Sequence, residues 1–151
     1  QMKLGWIIVG GTGAGEAAAR LETLCDTFLS VNTPAQIALP RLLSEGACVR
    51  ESIRQRITAN YRAALDILAG SACTVLETEG GWYGIVRMPR TKTDEEWAIA
   101  LLEEVGIYLF PGYFFDFEEE GCLVVSLLPE EPGFRRAIEQ LRDYVATSAP
   151  R

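Results

Sequence analysis

The chain contains no histidine, and that absence excludes more chemistry than any present motif suggests. Without an imidazole no Ser-His-Asp relay can be built, and a zinc site loses its commonest nitrogen ligand. The cysteines do not repair the deficit. Cys25, Cys48, Cys73 and Cys122 are far apart and form no Cys-x-x-Cys pair, so neither a metal site nor a disulfide framework is indicated. Single cysteines within apolar runs read as core residues of a protein kept in a reducing, cytoplasmic setting. Lysine is almost missing as well: Lys3 and Lys92 are the two present. No apolar run reaches the length of a membrane span, so no membrane partner is expected. Acidic residues outnumber basic ones by 21 to 14, leaving a net charge of -7 and no basic run. A surface of that sign repels phosphate backbones, and nucleic acid is not an expected partner.

What is present is an ordinary globular composition, 48% hydrophobic and 23% charged over 151 residues, enough for one core or one core plus a fragment of another. Leu4 to Val9 is a continuous apolar run ending in Gly10-Gly11-Thr12-Gly13-Ala14-Gly15, which predicts a buried strand turning into a helix. Leu21, Leu24, Cys25 and Phe28 recur at helical spacing. Ser30 to Pro34 breaks that helix, and Thr33 as N-cap with Pro34 at the first helical position predicts the next. Arg50 to Ala69 is the longest periodic stretch, with Ile53, Ile57, Tyr61, Ala64, Leu65 and Leu68 on one stripe and Gly70 as its stop.

Beyond Gly70 the period changes. Cys73 to Met88 reads as two strands around Glu79-Gly80-Gly81. Thr93-Asp94-Glu95-Glu96 is a capping box that opens a helix burying Trp97, Leu101 and Leu102 and running to Gly106. Ile107 to Phe110 and Leu123 to Leu128 read as strands, and a last helix from near Pro132 buries Phe134, Ile138, Leu141 and Val145. The second half therefore predicts a small α+β layered domain with its own sheet. In the first half, one strand with helices cannot cover both of its faces, and Gln1-Met2 leads almost directly into that strand. The expectation is the back part of a larger α/β protein. A secretory signal is the competing reading of Lys3, the apolar stretch and Ala17 to Ala19, but the stretch is short and Gly-interrupted, and Glu16 precedes the would-be cleavage site.

Gly13-Ala14-Gly15-Glu16-Ala17-Ala18 formally matches the dinucleotide fingerprint Gly-x-Gly-x-x-Ala. The fingerprint needs a second strand with an acidic residue some twenty positions on, and Cys25 to Pro34 reads instead as helix and turn, so a plain strand-to-helix turn is the better account. Lys92 lies in a polar loop and reads as solvated. Glu118-Glu119-Glu120 reads as a solvated turn with no specific role.

Several segments carry a resemblance. Met2-Lys3-Leu4-Gly5-Trp6-Ile7-Ile8-Val9, Phe28-Leu29-Ser30-Val31-Asn32-Thr33-Pro34-Ala35-Gln36, Gly80-Gly81-Trp82-Tyr83, Ile107-Tyr108-Leu109-Phe110-Pro111-Gly112 and Val124-Val125-Ser126-Leu127 resemble, in order and over essentially the whole chain, fold-type I (class I/II) pyridoxal-phosphate-dependent aminotransferases. The resemblance implies a C-terminal part. Residues 1–46 would be the remnant of a doubly wound, cofactor-binding large domain, and residues 47–151 the interdomain helix and small C-terminal domain. The intact protein would move an amino group between an amino acid and a 2-oxo acid, as a homodimer, with pyridoxal 5'-phosphate as electron sink.

Carried over by position, Lys3 falls where the family has a cofactor-phosphate arginine, and a lysine can serve there as a point charge. The lysine that forms the Schiff base would lie before Gln1, so no catalytic residue is assigned in this chain and the fragment alone is expected to be inactive and not to retain the cofactor. The family's substrate-carboxylate arginine has its equivalent at Val124, two residues ahead of Ser126, and Arg87 is the candidate replacement. The alternative for Arg87 is an outward side chain beside Arg90 at the sheet edge. Tyr113 and Phe114, in Pro111-Gly112-Tyr113-Phe114-Phe115, would border the substrate pocket, or pack under a loop. Asn32 and Thr33 would approach the partner subunit, or simply cap a helix. Two other readings compete on the whole-chain level: the effector domain of an aminotransferase-like transcription regulator, and a stand-alone, non-catalytic interaction module.

Overall fold

The computed structural model describes residues 3–28 and 31–148, so Met2, Leu29 and Ser30 of the segments quoted above lie outside the described residues. The chain divides into two compact units, residues 1–49 and 50–151.

In the first unit, residues 3–10 lead through a turn into helix α1, Ala14–Phe28, followed by helix α2, Thr33–Glu45. The strand expected over Leu4 to Val9 is not formed: these residues pair with no strand among the described residues. Ile8 is 87% exposed and Trp6 62%. The apolar composition was legible, but a strand exists only as one side of a hydrogen-bonded ladder, and no second side is present here. The stripe on α1 meets the same fate, since the helix buries none of its residues and Phe28 stands exposed. The glycine run does form the turn into α1, with the Ala14 N–H donating to the Gly11 carbonyl and both Gly11 and Gly13 at positive φ. The element after α1 is another helix, not the strand a dinucleotide fold requires. Capping of α2 also differs from expectation. Asn32, not Thr33, is the N-cap, its side-chain oxygen accepting from the Ala35 N–H at 3.1 Å, because Thr33 already belongs to the helix.

Helix α3, Ala47–Leu68, starts three residues earlier than the periodicity places it. The second unit then adds strands β1, Thr74–Val75, and β2, Tyr83–Arg87; helix α4, Asp94–Ala100, continued by one π-helical turn, Leu101–Val105; strand β3, Phe110–Pro111; a 3-10 turn, Gly112–Phe115; strand β4, Cys122–Ser126; and helix α5, Glu131–Ser148. The four strands form one antiparallel sheet in the order β1-β2-β4-β3. The layout is the expected small sheet packed with helices.

Alternation along β2 and β4 sorts the sheet into two faces. Val86, Met88, Leu123, Val125 and Leu127 join Ala64 and Leu68 of α3, Trp97 of α4, Leu101 of the π-helical turn, and Phe134, Ile138, Leu141 and Val145 of α5 in one buried cluster. All four apolar positions expected on α5 are buried. The opposite face carries Thr74, Tyr83, Ile85, Arg87, Phe110, Cys122, Val124 and Ser126, by the pairings Thr74 with Arg87, Tyr83 with Ser126, Ile85 with Val124, Arg87 with Cys122 and Phe110 with Val124. An antiparallel sheet with helices on one face leaves the other available.

Polar groups lock the layers. The fully buried Asn60 amide of α3 donates to the carbonyls of Leu127 and Pro129 at 3.0 and 2.8 Å, pinning the helix to the end of β4. Tyr61 donates its hydroxyl to the Leu76 carbonyl, fixing the same helix to the chain just after β1. The capping box of α4 is complete, with the Glu96 N–H donating to Thr93 Oγ1 at 3.2 Å and the Thr93 N–H to Glu96 Oε2 at 2.8 Å.

Cys73, buried in this core beside the Met88 sulfur at 3.8 Å, has its thiol pushed up from 9.0 to about 11 by burial. A folded-state value above the unfolded one means that the thiol contributes stability in full below pH 9, and that this contribution is lost as pH rises from 9 through 11. Unfolding measured across that window should fall off less steeply for Cys73→Val than for the native sequence; equal slopes would show that the thiol is not held protonated. Iodoacetamide should modify the exposed Cys48 well before Cys73.

Candidate functional site

The open sheet face carries two features. The first is Arg87, on β2, between β1 and β4 and therefore an inner strand of the sheet. The strand is thus not an edge strand, although the side chain is exposed, as the outward alternative has it. Arg87 is exposed, lies directly across from Cys122, and shares its face with Val124, the next same-face residue along β4. Neighbours of that kind are close enough for a long side chain to bridge. Among the described residues no carboxylate lies within ion-pairing distance of its guanidinium. Val124 itself is buried at 3% exposure.

The second feature is aromatic. Phe110, opposite Val124, precedes the 3-10 turn that carries Tyr113, Phe114 and Phe115. Edge-to-face contacts tie the group together: Tyr83 with Phe115 at 5.7 Å, Phe110 with Phe115 at 6.1 Å, and Tyr113 with Phe114 at 4.7 Å between ring centres. Phe110 and Phe114 are tilted at 6.5 Å. Packing under a loop describes these rings poorly, because Tyr113, Phe114 and Phe115 all remain exposed. They stand as an apolar wall anchored at its base to the strand residues Tyr83 and Phe110.

Behind both features sits a residue that the sequence reading passed over. Asp94, at the first position of α4, is 3% exposed. Its carboxylate accepts the N–H groups of Gly112 and Cys122 at 3.0 Å each and that of Gly121 as well. One side chain thereby holds the first residue of the aromatic turn and the first residue of β4, which is the strand partner of Arg87. The only local signal was an acidic residue in a capping box, where it reads as a dipole complement. The glutamate run is not idle either: Glu120 accepts from the Asp94 N–H at 3.0 Å, and Glu119 pairs with Arg90.

Lys3, Asn32 and Thr33 belong to the first unit and are exposed, with Asn32 engaged in capping. Lys92 is not the solvated lysine its loop suggests. Its ammonium stands over the rings of Trp97 and Tyr144, 4.9 and 5.6 Å from their centres, and it is half-buried. Among the described residues no helix is long and apolar enough to cross a membrane, and there is no cluster of three potential metal ligands.

A sheet with helices on one face and an aromatic-rimmed open face on the other, preceded by a helical unit, is a known architecture. It is shared with a tyrosine aminotransferase from Leishmania infantum (TM-score 0.74, 19% identity, covering 90% of this chain and 35% of that one). It is likewise shared with an Escherichia coli protein assigned a methionine aminotransferase function (0.68, 24%, 86% and 35%) and an aspartate aminotransferase from Thermotoga maritima (0.70, 21%, 88% and 34%). At these identities the likeness establishes the fold. A search of curated proteins finds no match. Residues 2–141 match the family model for aminotransferase class I and II, and the chain belongs to that family. It spans about a third of the length of those solved relatives.

The described residues do not by themselves fit pyridoxal phosphate. Lys92 is engaged with two rings, and Lys3 is exposed. Replacing Gly112 with alanine probes the Asp94 junction directly. A Cβ there would stand 2.8 Å from both Asp94 Oδ2 and the Cys122 carbonyl, inside any real contact. Gly112→Ala should lower stability by about 1–3 kcal/mol in urea unfolding; an unchanged midpoint would show that the junction is loose.

Proposed function

We propose that the protein of which this chain is part transfers an amino group between an amino acid and a 2-oxo acid with pyridoxal 5'-phosphate, as a homodimer in the cytoplasm. Family membership supports the reaction class. When bound, that cofactor supplies the electron sink for carbanion chemistry. Residues 1–46 complete the cofactor-binding domain, and residues 47–151 form the linking helix and small domain. This chain alone is inactive, because its amines are engaged (Lys92) or placed where the family has its phosphate contact (Lys3).

In this reading Arg87 holds the substrate carboxylate in place of the arginine absent at Val124. The observation that carries it is the shared face: an exposed guanidinium on an inner strand, on the same side of the sheet as Val124 and as Tyr83 and Phe110, the strand residues to which the aromatic turn is tied. An exposed guanidinium on an inner strand, with no carboxylate paired to it among the described residues, fits a ligand carboxylate, which takes two parallel N–H bonds from it. Tyr113 and Phe114 shield the bound substrate from water and favour an apolar side chain. Lys3 attracts the cofactor phosphate, and Asn32 and Thr33 face the partner subunit.

The test is Arg87→Gln in the full-length protein. KM for the amino acid should rise about 10–100-fold, the loss of a charge-assisted bond, while the absorbance of bound cofactor stays as in the native protein. An unchanged KM would remove Arg87 from the substrate site.

A further inference from the structure

We propose that Asp94 is a positioning residue for the substrate face: from the helix side it sets, through three backbone N–H groups, both the aromatic turn and the strand that backs Arg87. The inference rests on the transferase reading given above. Its geometric basis is independent of it.

Helix α4 lies in the helical layer, and Asp94 begins it. The carboxylate nevertheless reaches the two backbone segments that frame the open face. Oδ2 takes the Gly112 N–H, where the turn bearing Tyr113 and Phe114 begins. Oδ1 takes the N–H groups of Gly121 and Cys122, where β4 begins directly across from Arg87. The two loops are thus referred to one rigid group, with α4 in turn fixed by its capping box and by Trp97, which donates its indole N–H to the Pro89 carbonyl at 3.0 Å. Both glycines suit the arrangement. Gly112 has no room for a Cβ beneath Asp94, and Gly121 adopts a φ of 92°, which other residues rarely reach.

A carboxylate is the group this junction requires. It offers two oxygens that only accept, against three donors. An asparagine of the same shape keeps one acceptor. With Oδ1 retained for Gly121 and Cys122, its NH₂ would meet the Gly112 N–H donor to donor. The turn, and not β4, should be the segment that moves. Asp94→Asn therefore separates the two halves of the device: the Arg87 strand stays, and the aromatic wall is released.

The experiment uses the full-length protein. Steady-state kinetics are measured for a panel of amino acids with the native protein, Asp94→Asn and Gly112→Ala. Displacement of a substrate-bordering wall by a fraction of an ångström to an ångström costs about tenfold or more. In Asp94→Asn we expect KM for the preferred amino acid to rise about tenfold, kcat to change less than about threefold, and the ranking among apolar side chains of different size to flatten. Gly112→Ala, which disturbs the same turn with the charge kept, should flatten the ranking in the same way. If both variants lose stability while KM and the ranking stay native, Asp94 is structural only and the inference is overturned. Should Asp94→Asn fail to fold, Gly112→Ala decides alone by the same two readouts. A native full-length protein that transfers no amino group would instead overturn the transferase reading, and the inference with it.

Discussion

Three backbone N–H groups converging on the buried carboxylate of Asp94 are the constraint on which the arrangement of the second unit turns. A buried carboxylate is tolerated only when its charge is met by hydrogen bonds, and unsatisfied donors in the same place would be as costly. Neither partner set can move without exposing the other. Helix α4, the aromatic turn and the start of β4 therefore behave as one body. The capping box on one side and the β2–β4 ladder on the other extend that body to Trp97 and to Arg87.

From this constraint the division of labour between the two sheet faces follows. One face is closed by three helices and by the π-helical turn, and it supplies stability through aliphatic side chains such as Leu123, Ile138 and Leu141, each essentially fully buried. The other face carries a guanidinium, Arg87, together with Val124 and the strand residues Tyr83 and Phe110 to which the aromatic rings are tied. Binding sites built on a rigid sheet hold their geometry because the supporting layer is elsewhere. The half-buried Lys92 belongs to the supporting side, lying over Trp97 and Tyr144 at the junction of α4 and α5.

How much of this was legible in the sequence depends on whether the signal was local. Phe134, Ile138, Leu141 and Val145 repeat at helical spacing and bury one face of α5 as read, and Thr93 with Glu96 forms the expected capping box. The strand at Leu4 to Val9 was misjudged, because apolar composition reports the wish to be buried while pairing depends on residues far away in sequence. Asn32 was displaced by its neighbour Thr33 as the expected cap, a one-residue ambiguity that two adjacent capping residues always leave. Lys92 was read as solvated since nothing local announces an aromatic surface contributed by Tyr144, fifty-two positions on in the numbering. Asp94 was missed for the same reason: its donors at 112, 121 and 122 come from the other side of the sheet unit. Arg87 and Val124 were individually legible as an unusual charge and an unusual absence, but their common face required the strand register.

The central claim is that the open sheet face is where substrate lies, with Arg87 as its carboxylate partner. Its most direct test is a crystal structure of the full-length protein holding a stable carboxylic substrate analogue. The account predicts both carboxylate oxygens within hydrogen-bonding distance of the Arg87 guanidinium, with the analogue's side chain against Tyr113 or Phe114. A carboxylate held by another cation, with Arg87 turned to solvent, would contradict it.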